Sequence, residues 1–142
     1  MKHIKHINLL HSEIGNVYHD ISVQMGLSDS VSNILYAICN FGDACLLGDI
    51  VNMTGIPKQT LNSALRKMEA NGILHLETVE KRRKKVVLTE SGKLLAQKTA
   101  GEIIRMENEI FSSWEEEELA IYMELIQRYL SQLKEKAKEL RT

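Results

Sequence analysis

The stretch LLGDIVNMTGIPKQTLNSALRKMEANGILHLETVEKRRKKVVLTESG, residues 46–92, decides the fold. Its first part reads as two short helices around a tight turn. Residues 46–53 form one, with Leu46, Ile50 and Val51 turned inward, and Thr54-Gly55-Ile56 breaks it. Pro57 suits the first turn of the next helix, 57–70, because its missing N–H costs nothing there. Asn71-Gly72 supplies the stop. Residues 73–79 and 84–88 lean toward β structure around the polar run Glu80-Lys81-Arg82-Arg83, the pattern of a hairpin with a charged tip. Thr89 then caps a new helix, with Glu90 at its positive end.

Upstream, Ser28 is the N-cap expected for a helix over 29–40 carrying Val31, Ile34, Leu35 and Ile38, and Phe41-Gly42-Asp43 reads as a turn. Helix, helix, tight turn, helix, hairpin is the order of a winged helix-turn-helix, whose second motif helix enters the DNA major groove. At 100° per residue, Leu61, Ala64, Leu65 and Met68 share one face of helix 57–70. Gln59, Asn62, Ser63 and Arg66 share the other, flanked by Lys58, Thr60 and Lys67. Gln and Asn can bridge adenine, Arg can bridge guanine, and Ser or Thr can serve base edges or phosphates. Polar residues opposite an apolar stripe are also what any solvated helix shows. The hairpin tips the balance.

Lys81, Arg82, Arg83, Lys84 and Lys85 place five cations in a row, which self-repulsion disfavours unless an anion is near. An arginine at a wing tip can enter the minor groove, where negative potential concentrates. A polybasic membrane patch would adjoin an amphipathic or lipidated anchor, and the sequence offers none. The candidate DNA contacts are therefore Lys58, Gln59, Thr60, Asn62, Ser63, Arg66, Lys67, Arg82, Arg83 and Lys84, with the wing spanning 79–86. The segment 57–93 holds nine basic and four acidic residues, a net of +5, while the remainder nets −6. Such polarisation suits a protein with one face on phosphates.

At this point the sequence resembles the MarR family of bacterial transcription regulators. The run 47–61 is similar to that family's helix-turn-helix, and 65–74 to its recognition-helix end and first wing strand. The wing pattern of an acidic residue, any residue and an arginine, closed by L-T-x-x-G, stands here as Glu80-Lys81-Arg82 and Leu88-Thr89-Glu90-Ser91-Gly92. Glu80 replaces the more usual aspartate. The resemblance makes Arg82 the minor-groove residue, with Arg83 beside it. It implies repression, or less often activation, at palindromic operators, commonly relieved by a small ligand or an oxidant.

The ends of the chain point to a homodimer. Leu119, Met123, Ile126, Leu130, Leu133, Ala137 and Leu140 are spaced 4, 3, 4, 3, 4, 3, an a/d seam of about three heptads. Ile4, Ile7, Leu10, Ile14, Val17 and Ile21 draw a second stripe on a helix over 4–26. Ile4, Ile7, Ile14, Leu119, Met123, Ile126, Leu130, Leu133 and Leu140 are the expected dimer contacts. Ser113-Trp114-Glu115-Glu116 reads as a capping box opening the last helix, and one helix after Thr89 is expected to carry Leu94, Leu95, Ile103, Ile104, Ile110 and Phe111.

Aromatic residues are only 5% of the 142 and proline occurs once, which favours long helices. The expected architecture is mostly α: a winged helix-turn-helix with a two-stranded β-wing and long N- and C-terminal dimerisation helices. Residues 1–28 would be the N-terminal dimerisation helix, 29–92 the DNA-binding lobe and 93–142 the C-terminal dimerisation helices. No apolar run reaches bilayer length and 1–6 is polar, so a soluble cytoplasmic protein without membrane partners is expected.

No G-x-S-x-G, P-loop, G-x-G-x-x-G or H-E-x-x-H is present, so no enzyme and no cofactor are expected. His3 and His6 would need further ligands to hold zinc. Cys39 and Cys45 read as small buried hydrophobes rather than thiol sensors, with no neighbouring cation in sequence. Two alternatives keep the same fold: an interaction adaptor without DNA binding, and a metal- or thiol-sensing regulator.

Overall fold

A computed structural model describes residues 2–141. In chain order it has α1 (Lys2–Gln24), α2 (Asp29–Asn40), β1 (Ala44–Leu46), α3 (Leu47–Thr54), α4 (Lys58–Ala70), β2 (Leu74–Val79), a 3₁₀ turn (Glu80–Arg82), β3 (Arg83–Leu88), α5 (Glu90–Lys98), α6 (Ala100–Ser112) and α7 (Glu116–Glu139). These residues form two compact units that divide between Ile104 and Arg105.

The first unit is built on the winged helix-turn-helix. Ser28 caps α2 as its residue type demands, its hydroxyl accepting from the Val31 N–H at 3.2 Å. The inward faces of α2, α3 and α4 meet in one core, where Ile34, Leu35, Ile38, Ile50, Leu61, Leu65 and Met68 are sealed from water. Each such side chain contributes about 1.5–3 kcal/mol by burial. Leu74 and Val86 close that core from the wing.

The expected two-stranded wing stands as β2 and β3, within a larger sheet. That sheet has three antiparallel strands in the order β1-β3-β2, and Cys45 pairs with Val86, which pairs with Leu76. The added strand, β1, is only three residues long, too short to show a period of two. It takes Leu46 out of the helix predicted to begin there. Pro57 likewise stands as the N-cap of α4, one residue before its first turn, with an extended ψ of 143°.

Two further expectations need correction. The single helix after Thr89 is two helices, α5 and α6, broken at Thr99 (φ −121°, ψ −89°). The Thr99 hydroxyl donates to the Leu95 carbonyl at 2.8 Å, a local bond that competes with the helical ladder. The capping box also lies two residues later than predicted. Glu115 is the N-cap of α7, and its N–H donates to the Glu118 carboxylate at 2.8 Å. The Ser113 hydroxyl instead donates to the Ile110 carbonyl at 2.6 Å, finishing α6.

In the second unit, Phe111, Trp114 and Tyr122 cluster around the turn into α7, with ring centroids 5.0–6.1 Å apart. No side chain of α7 is buried.

Candidate nucleic-acid interface

The turn between α3 and α4 is held by local chemistry. Gly55 adopts φ +65° after α3, a conformation that glycine takes without steric cost. Beside it the Thr54 hydroxyl donates to the Ile50 carbonyl at 2.7 Å and accepts from the Ile56 N–H at 3.2 Å. This turn sets α4 with Leu61, Ala64, Leu65 and Met68 inward. The outward set is Lys58, Gln59, Thr60, Asn62, Ser63, Arg66 and Lys67, all exposed. One short helix thus carries donors and acceptors for base edges together with cations for phosphates.

The wing ends in a strained turn. The Arg83 N–H donates to the Glu80 carbonyl, and Lys81 and Arg82 both have positive φ, 59° and 63°. This is the backbone of a type I′ turn, which Asn-Gly fills more easily. Left-handed φ at a residue with a Cβ costs about 1–2 kcal/mol. The strain therefore sits on two exposed cations.

The five consecutive cations are not equivalent. Lys81 and Arg82 form the tip, and Arg83 opens β3 as an exposed residue. Lys84 lies within β3, its ammonium donating across the ladder to the Thr78 hydroxyl at 2.9 Å. Lys85 is half-buried opposite Glu77. Among the described residues, Lys58, Arg66, Lys67, Arg82 and Arg83 have no carboxylate partner, so their charge is uncompensated within the fold.

The base of the wing explains the L-T-x-x-G pattern. The Thr89 hydroxyl donates to the Gly72 carbonyl at 2.6 Å and accepts from the Gly92 N–H at 3.0 Å. One residue thus ties the end of α4 to the start of α5. Gly92 passes so close that an added Cβ would stand 1.9 Å from the Ile73 carbonyl oxygen.

The apolar stripes of the outer helices are open. Ile4, Ile7 and Ile14 on α1, and Met123, Ile126, Leu130 and Leu133 on α7, are about half exposed; Leu119 is half-buried and Leu140, just past α7, is 87% exposed. At the α1–α2 junction the His19 Nδ1 lies 2.8 Å from the Asp29 carboxylate, a contact that no periodicity reveals.

Neither thiol is activated. Burial, then the Asp43 charge, pushes the Cys39 thiol up; burial, then the Asp49 charge, pushes Cys45 up to about 11. In the native protein at pH 8, labelling of Cys45 by a thiol reagent should run about a hundredfold slower than in the unfolded chain, because so little thiolate exists. Fast native labelling at pH 7 would instead restore thiol sensing. The same shift lowers fold stability as pH rises from about 9 to about 11, since the unfolded chain releases that proton first. Among the described residues, no three His, Cys, Asp or Glu side chains group as a metal site, and no helix is long and apolar enough to cross a membrane.

Residues 25–85 match the sequence model described as MarR family. No curated protein matches the chain. Many solved structures share its fold. A MarR family regulator from Neisseria meningitidis superposes with a TM-score of 0.80 at 19% identity, covering 100% of both chains. MepR of Staphylococcus aureus, solved in complex with DNA, gives 0.67 at 20% identity over 94% of this chain and 99% of its own. BpsR of Bordetella bronchiseptica, whose DNA binding is regulated by 6-hydroxynicotinic acid, gives 0.62 at 20% identity over 87% and 98%.

Proposed function

We infer that this chain is a DNA-binding transcription regulator of the MarR family, which its residues 25–85 match, and that it acts as a homodimer on palindromic operators. The observation that carries this reading is the pairing of an exposed polar recognition face on α4 with uncompensated arginines on the adjoining wing. In this reading α4 enters the major groove through Gln59, Asn62, Ser63 and Arg66. Lys58, Thr60 and Lys67 meet phosphates, and Arg82 and Arg83 reach the minor groove, with Lys84 behind them. Residues 29–92 act as the reading lobe, and 1–28 and 93–142 as dimerising arms. The exposed stripes of α1 and α7 support the arms, because large apolar faces rarely remain open on a working monomer. The protein works in the cytoplasm, as a repressor rather than an enzyme. Release comes from a small ligand, since the raised thiol values of Cys39 and Cys45 speak against an oxidant.

The test is binding to a palindromic promoter fragment across a salt series. Affinity should fall steeply with salt. Arg82→Ala should weaken all sequences alike and lower the salt slope by about one, whereas Arg66→Ala or Asn62→Ala should relax preference at particular base pairs at a cost of about 1–3 kcal/mol. Salt-independent binding, or none, would favour the adaptor reading.

A further inference from the structure

Thr78 and Lys84 stand directly opposite each other on β2 and β3. They continue a face of the wing whose inner pairs are Leu74 with Leu88 and Leu76 with Val86. Leu74, Val86 and Leu88 are buried and Leu76 is half-buried, whereas Thr78 and Lys84 are exposed. This pair is therefore the point at which the face leaves the core, and the next pair, Val79 with Arg83, flanks the strained turn. The Lys84 ammonium donates to the Thr78 hydroxyl at 2.9 Å. Among the described residues it has no carboxylate partner. A carboxylate would orient the ammonium and cancel its charge. A hydroxyl orients it and leaves the charge whole.

We propose that Thr78 is a positioning residue for DNA binding: it holds the Lys84 ammonium beside the wing tip, pre-set for a phosphate of the DNA backbone. This rests on the reading of the wing as a DNA contact and assigns a role to a neutral side chain within it. A lysine end free in water samples many rotamers, and ordering it against a phosphate costs conformational entropy as the complex forms. The tether removes part of that freedom beforehand. Threonine suits the task, because its branched Cβ is stiff at χ1 and at home in a strand. Among the cations at 81–85, Lys84 alone has its head group held by a hydrogen bond.

Binding of the full chain to a fluorescent duplex, selected by the unaltered protein from random-sequence DNA, tests this. Thr78→Val keeps the shape and the strand preference but removes the acceptor. It should weaken binding about three- to tenfold, as expected for an exposed hydrogen bond to a charged group. The salt slope should not change, because Lys84 keeps its charge. Thr78→Ser keeps the hydroxyl and should bind within about twofold of the unaltered protein. Lys84→Met should weaken binding as well, and in that background Thr78→Val should cause no further loss. Undiminished affinity in Thr78→Val would show that Lys84 finds its phosphate unaided, and would overturn the proposal. An equal loss with and without Lys84 would overturn it too, since Thr78 would then act by another route. So would a harmless Lys84→Met. Salt-independent binding, or an Arg82→Ala variant that binds as tightly as the unaltered protein, would instead sink the wing reading on which the proposal stands.

Discussion

Gly92→Ala is expected to cost the winged-helix lobe at least about 3 kcal/mol, the upper range for overpacking a tight interior. The added methyl would stand 1.9 Å from the Ile73 carbonyl oxygen and 2.9 Å from its carbon. Those are backbone atoms at the foot of β2, so no rotamer change relieves the clash. Either α5 moves off the sheet or the wing shifts, and each breaks the Thr89 hydroxyl bonds that join Gly72 to Gly92. Urea denaturation followed by circular dichroism would measure the loss. A midpoint unchanged from the unaltered protein would mean that Gly92 does not pack against the Ile73 carbonyl. Gly48→Ala is a fitting control, because nothing lies within 4 Å of the position a Cβ would take there.

Ile126→Asp combined with Leu130→Asp should lower affinity for a two-half-site operator by about 10²–10⁴-fold, the gain that linked binding supplies. Both side chains lie on the open seam of α7, about half exposed in the single chain. Charging them therefore leaves the winged-helix core intact. The variant should sediment as a monomer, melt cooperatively and retain only the weak affinity of one lobe. If it stays dimeric, the seam is not the interface. If it becomes monomeric yet binds the palindrome undiminished, the two lobes do not act together.

The parts of the fold that were legible in sequence are those fixed by periodicity and by strong local chemistry. The inward face of α4 emerges from the spacing of Leu61, Ala64, Leu65 and Met68, and its burial follows from that spacing alone. Ser28 and Thr89 are caps by residue type, and both make the capping bond. What escaped depends on contacts distant in sequence or on competition between neighbours. Strand β1 exists because β3 offers it an edge, and three residues carry no period. The break at Thr99 is accompanied by its hydroxyl taking the Leu95 carbonyl, a choice that residue type alone does not announce. At the start of α7 Ser113 is the cap expected by residue type, but its hydroxyl donates to the Ile110 carbonyl and Glu115 caps the helix instead.

For the candidate interface, the sequence identified which cations gather but not how they divide. Five in a row look alike on paper. In the fold Lys84 is tethered to Thr78 and Lys85 is half-buried, so the tip belongs to Lys81 and Arg82, with Arg83 exposed at the start of β3. The alternation of strand faces sets that division, and it depends on the residue at which the turn begins.

The backbone of that turn sets foldability against recognition. The residues that adopt left-handed φ most readily are glycine, asparagine and aspartate, and none of them is cationic. Lys81 and Arg82 hold that conformation at 59° and 63°. A programme of directed evolution that selected only for thermal tolerance would replace both at once, and would yield a hardier hairpin with no charge to present. The two positions are thus expected to drift toward small turn formers wherever selection for operator occupancy is relaxed, which makes the wing tip the first place to look when a relative of this fold has ceased to be a regulator.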